Sequence, residues 1–179
     1  MSCIQSTPVV DNILTDPTTD YGWQAVGTGL ITSALSQYYP LAEAVVVLYS
    51  QAQTTRQHGV IRQLEFEETA SSSANIKKAP LQVLIYSGTA PTTPTAGAVY
   101  NASSTNLVGI VEIKDTDYKR LSSTVWVATV NPDLYYRVTS AAGAANMYAV
   151  VLSNSATSVT YASSATARIR AFTEQGTAL

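Results

Sequence analysis

The chain is poor in the residues that usually carry chemistry. Its one cysteine, Cys3, excludes an intramolecular disulfide. One cysteine and one histidine, His58, cannot supply the four ligands of a structural zinc site. Charged residues make up 12% of the 179, about half the ~25% usual for soluble domains. The formal net charge is −2, so no basic field exists to hold nucleic acid or an anionic membrane, and neither partner is expected. The longest strictly apolar runs, Ala44 to Tyr49 and Met147 to Leu152, are six residues each, far below the ~20 that span a bilayer as a helix. The opening Met1-Ser2-Cys3-Ile4-Gln5-Ser6 has neither the basic start nor the apolar stretch of a secretory leader, so synthesis in a cytoplasm is expected.

Small and hydroxylated residues fill the space instead: 19 Ser, 23 Thr and 24 Ala. A chain of this length buries roughly 70% of its unfolded surface and needs no metal or disulfide staple. It has room for one domain, or one domain with an arm. Residues 1–20 carry two prolines, several turn formers and no sustained period, yet contain the apolar anchors Val9, Val10, Ile13 and Leu14. They fit an N-terminal arm that orders on a partner, or a frayed terminus. From Tyr21 to Leu179 the pattern is β, with Val, Ile, Thr and Tyr in short runs between Gly, Pro, Asn and Ser clusters.

Several runs show the period of two of half-buried strands. Val60, Leu64 and Phe66 share one face and Gln63, Glu65 and Glu67 the other, with Arg62 interrupting the apolar side. Leu81, Val83 and Ile85 alternate with Gln82, Leu84 and Tyr86, and Val125, Val127 and Thr129 with Trp126, Ala128 and Val130. Ala167, Ile169 and Ala171 give a core face backed by Arg168, Arg170 and Phe172. Leu107 to Ile113 and Met147 to Leu152 read as buried central strands, Ala44 to Ser50 and Leu134 to Ser140 as weaker ones. Turns are expected at Asn131-Pro132-Asp133 and Ala141-Ala142-Gly143, and one helical turn each at 40–44 and 96–100. Some eight strands at this spacing predict an all-β single domain, an antiparallel β-sandwich or jelly roll. No fixed-period repeat suggests a solenoid or propeller.

The candidates for chemistry are weak. His58 lies in a polar stretch before a strand and fits a surface histidine better than a base. Glu65 and Glu67, ~7 Å apart along one strand face, fall within the rough spacing of an inverting glycosidase. No aromatic platform accompanies them on that strand, and Glu68 follows as on a solvated face. Lys114, Asp115, Asp117, Lys119 and Arg120 form the densest charge cluster, but the Gly and bidentate Glu of a calcium loop are missing. Asn101-Ala102-Ser103 is a glycosylation sequon that, without a leader, has no access to the machinery. Gly27-Thr28-Gly29 lacks the third Gly and the Lys of a phosphate loop. No catalytic, cofactor-binding or metal-binding residue is therefore assigned, and an enzyme is not expected. Eleven tyrosines against two phenylalanines suit surfaces that become buried in assembly. The pairs Tyr38-Tyr39 and Tyr135-Tyr136 each place one ring on either side of a strand, and all four are interface candidates.

The order of segments resembles the decoration, or cement, proteins on the heads of tailed bacteriophages. After an arm, Asp20-Tyr21-Gly22-Trp23-Gln24-Ala25-Val26-Gly27-Thr28-Gly29 stands where the family has a Tyr…Gly-Asp-Val segment, departing from it at Trp23-Gln24-Ala25. Gly59-Val60-Ile61-Arg62-Gln63-Leu64, then Pro80-Leu81-Gln82-Val83-Leu84-Ile85-Tyr86 with Pro91 downstream, then Leu107 to Ile113 with Asp117-Tyr118 after it, follow in the family's order. Met147-Tyr148-Ala149-Val150-Val151 and Thr160-Tyr161-Ala162-Ser163 close the series. The resemblance implies a β-sandwich or jelly-roll module on the outer capsid surface of a virion, without cofactor or catalytic site. It implies the major capsid protein as partner and self-association, a homotrimer or else a dimer, bridging neighbouring capsomers. A host-binding module, such as a tail-fibre tip or a lectin-like sandwich, is the alternative.

Overall fold

The computed structural model describes residues 23–51, 57–138 and 145–176. Among the described residues ten strands pair antiparallel and form two sheets. The larger runs β1 (Gln24–Ala25), β10 (Thr166–Gly176), β3 (Gln57–Thr69), β7 (Val125–Val130) and β6 (Tyr118–Arg120). In it β8 (Leu134–Val138) pairs with the first half of β3, beyond the end of β7. The smaller runs β2 (Val46–Gln51), β9 (Ala145–Ser153), β4 (Leu81–Ser87) and β5 (Leu107–Ile113). The two pack face to face as a sandwich, and the all-β antiparallel expectation holds. The helical elements among the described residues are single 3-10 turns at Ser73–Asn75 and Asp115–Asp117. The turns expected as helical at 40–44 and 96–100 are bends and hydrogen-bonded turns instead.

Alternation places the core. Leu81, Val83 and Ile85 of β4 meet Leu64, Phe66 and Ile169 of the opposite sheet between the layers, each such side chain worth ~1.5–3 kcal/mol on burial. The other face of β4 is buried too. Leu84 and Tyr86, with Val150 and Leu152 of β9, form a second apolar cluster packed by Tyr100, Leu107 and Tyr148. Tyr100 comes from the long 88–106 connection, whose backbone is tied by Tyr100 N donating to Tyr38 O at 3.1 Å. The Tyr100 hydroxyl donates to Thr92 O at 3.0 Å and closes the connection on itself. The central strands of the small sheet, β4 and β9, are thus buried on both faces, which is why they read as continuous apolar runs.

β3 departs from the simple alternation. Ile61, not Val60, is buried with Leu64 and Phe66. The register with β10 steps from Gln63 opposite Phe172 to Ile61 opposite Thr173, leaving Arg62 as the extra residue of a bulge. One inserted residue moves the next side chains to the other face. Arg62 is expelled to solvent, where it binds Asp133 at 2.9 Å and Glu174 at 2.7 Å.

Candidate interaction surface

The outer face of the large sheet carries a fixed lattice of aromatic and charged side chains. Arg170 and Arg168 project outward from β10, and register sets Glu65 and Glu67 of β3 directly beside them. Arg170 Nε donates to Glu65 Oε2 at 2.6 Å, and Arg168 Nε donates to Glu67 Oε1 at 2.9 Å. Gln63 Nε2 donates to the remaining Glu65 oxygen at 2.6 Å, and the Thr69 hydroxyl to Glu67 Oε1 at 3.3 Å. Trp23, just before β1, lies with its ring 4.4 Å from the Arg170 guanidinium, and Phe172 meets that guanidinium at 4.9 Å. Arg168 lies 5.6 Å from the same indole. Each guanidinium is held by a carboxylate and by stacking on an aromatic face, so little side-chain entropy remains to lose on docking.

Further along the same face, Tyr135 of β8 stands opposite Val60 and is 60% exposed. Its neighbour Tyr136 points the other way, is 2% exposed, and packs where Gly59 leaves room. Tyr136 is therefore corrected from interface candidate to core residue: strand alternation sends one of the two rings inward. Tyr38 is 41% exposed and Tyr39 half-buried. Their turn is pinned to β9 by Tyr38 N donating to Ser153 O at 2.7 Å and Ser153 N donating to Tyr39 O at 2.8 Å. It lies on the small-sheet side, away from the Trp23 lattice. Val9, Val10, Ile13 and Leu14, with the whole expected arm at 1–20, lie outside the described residues, as does Cys3.

The remaining chemical candidates fall apart individually. Glu65 and Glu67, considered as an acid–base pair, are each engaged by an arginine. The aromatic platform missing from their own strand does exist nearby, supplied by Trp23 across β10. That neighbour could not be read from sequence, because the pairs span 105 and 101 residues. Glu68, expected on a solvated face, is fully buried: it shares the inward face of Leu64 and Phe66 and accepts amide bonds from Lys77 and Lys78. His58 is half-buried at the start of β3, opposite Arg137 and Gly176. Asp117 Oδ2 accepts the Lys114 amide at 2.7 Å and closes an exposed turn. No cluster able to hold a metal ion occurs among the described residues. An open groove of about 430 Å³ is lined by residues 27–33 with Ala42 and Glu43. Its one carboxylate, Glu43, accepts the Ala96 amide at 2.9 Å. Comparison with family models, with curated proteins and with solved structures finds no match to this chain.

Proposed function

We propose that the chain is a non-enzymatic virion structural protein, a cement that binds the outside of a phage head and bridges neighbouring capsomers. The observation that carries this proposal is the Trp23–Arg170–Phe172 lattice with exposed Tyr135 beyond it. Trp, Tyr and Arg are the residues that dominate binding energy at interfaces, and here they are held in place on one open sheet face. Four strand spacings by eleven residues make a face of ~19 Å by ~36 Å, roughly 700 Å², close to the ~800 Å² each partner contributes to a standard interface.

Two further points support the proposal. The segments that resemble the cement family fall in chain order on elements of the sandwich: 59–64 in β3, 81–86 in β4, 107–113 in β5, 147–151 in β9 and 160–163 just before β10. The strand orders β1-β10-β3-β7-β6 and β2-β9-β4-β5 support reading the sandwich as a jelly roll, in which two Greek keys are wrapped together. We take the major capsid protein and further copies of this chain as partners, a homotrimer first and a dimer second. The host-binding alternative draws on the hydroxyl-rich groove at 27–33. Mixing the purified protein with heads that lack it decides between them. Co-sedimentation with raised heat resistance of the heads is expected, and binding to host glycans without binding to heads would overturn the proposal.

A further inference from the structure

The charges of this chain are gathered on one side of the sandwich. No Lys, Arg, Asp or Glu occurs in residues 24–42, 44–55, 79–111 or 138–167. Those stretches hold β2, β4, β9 and β5 as far as Val111, so Glu112 is the one charged residue in the four strands of the small sheet. In the large sheet, β3 and β10 carry Arg62, Glu65, Glu67, Arg168, Arg170 and Glu174 among their charges. Directly paired residues share a face. Ile110 beside Leu84, and Val47 beside Tyr148, therefore stand on the outer side of the small sheet with the Leu84, Tyr86, Val150 and Leu152 cluster. Val99 precedes Tyr100, whose ring packs on that cluster and whose amide donates to Tyr38 O. Four of the six large apolar side chains exposed among the described residues thus gather on this side: Tyr38, Val47, Val99 and Ile110, each 41–52% exposed. At its rim stand Glu112 and Glu43, the latter accepting the Ala96 amide at 2.9 Å.

We propose that this uncharged side of the sandwich seats a further copy of this chain. A partner that brought charges to it would bury them without counter-charges, a cost that an uncharged surface escapes. Soluble chains are ~25% charged, so few surfaces qualify over such an extent. The chain itself supplies one: the same side of a second copy. Two copies meeting here bring no like charges together, and depletion of charge marks the core of an interface. Tyr38 adds a ring of the type that anchors binding. The inference rests on the cement reading only for where the copies meet, and it leaves the Trp23 face free for the capsid protein.

Sedimentation equilibrium of the full chain without heads tests it, over roughly 1–100 μM. The native chain should self-associate. The double variant Val99→Glu/Ile110→Glu should raise the dissociation constant roughly a hundredfold or more and leave the circular dichroism unchanged. Leu121→Glu, at an exposed position between β6 and β7 of the large sheet, should leave association as it is. Should the double variant misfold, NMR of the native chain decides: the Val99 and Ile110 amide shifts should move with protein concentration and that of Leu121 should not. Binding to heads is read apart. A monomeric double variant that still sediments with heads supports both readings, and a native chain that associates through this side yet ignores heads removes the cement reading alone. A native chain that stays monomeric, or association that survives the double variant, overturns the proposal.

Discussion

Replacing Gly59 with alanine should destabilise the sandwich where β3, β8 and β10 meet. A Cβ at Gly59 would collide with the Glu174 carbonyl oxygen and lie 2.8 Å from the Tyr136 hydroxyl oxygen. The first neighbour is backbone of the adjacent strand, and the second belongs to a ring buried in the core. Neither can withdraw without parting β3 from β10 or moving Tyr136. Overpacking of this kind costs about 1–3 kcal/mol, which for a chain of this size lowers Tm by roughly 2–12 °C. Two other glycines calibrate the result. At Gly109 the added Cβ would meet Leu134 Cδ1 at 2.5 Å, the far end of a flexible side chain, so Gly109→Ala should cost less. At Gly29 nothing lies within 4 Å, so Gly29→Ala should be neutral or stabilise by up to ~1 kcal/mol. Thermal and urea unfolding of the three variants should rank them Gly59, Gly109, Gly29 from most to least destabilised. A Gly59→Ala protein as stable as the parent would refute the packing assigned to Tyr136.

Arg170→Met leaves the Glu65 carboxylate buried without its cation and should cost about 2–3 kcal/mol in urea unfolding. The double variant Glu65→Gln/Arg170→Met should recover part of that loss, and a strictly additive pair would show that the two side chains do not interact. Trp23→Ala should cost ~0.5–2 kcal/mol in the same assay, leave the circular dichroism unchanged, and weaken binding to heads more than it weakens the fold. Deleting residues 2–18 should leave the β domain folded and reduce its retention on heads. Equal retention and equal heat protection would show that the arm plays no part in attachment.

Much of the fold is legible in the sequence because a strand's side chains must alternate in and out. Leu81, Val83 and Ile85, and Ala167, Ile169 and Ala171, face the core as their spacing requires. The rule fails where one residue is inserted: nothing local to Val60-Ile61-Arg62 marks a bulge, since the step appears only against β10. Applied one residue further, the same alternation would have placed Glu68 inside with Leu64 and Phe66. Its charge argued for solvent, but two amides of the 70–80 crossover satisfy the carboxylate where it is. The outward lattice was half visible. Arg168 and Arg170 alternate with apolar residues as a charged back, and Glu65 and Glu67 share a face. Their mutual pairing and the arrival of Trp23 depend on register between segments more than a hundred residues apart, which no local pattern encodes. The tyrosine pairs show both outcomes, since alternation fixes that Tyr135 and Tyr136 diverge but not which of them goes in.

The claim that this sandwich serves as a capsid cement is tested most directly by an electron-microscopy map of phage heads incubated with the full chain. The account predicts density for the two-sheet domain on the outer capsid surface, over the junctions between capsomers, in contact with further copies of itself. The Trp23–Arg170–Phe172 face should lie against a neighbouring subunit. Heads without that density at saturating protein, or density confined to a tail tip, would contradict it.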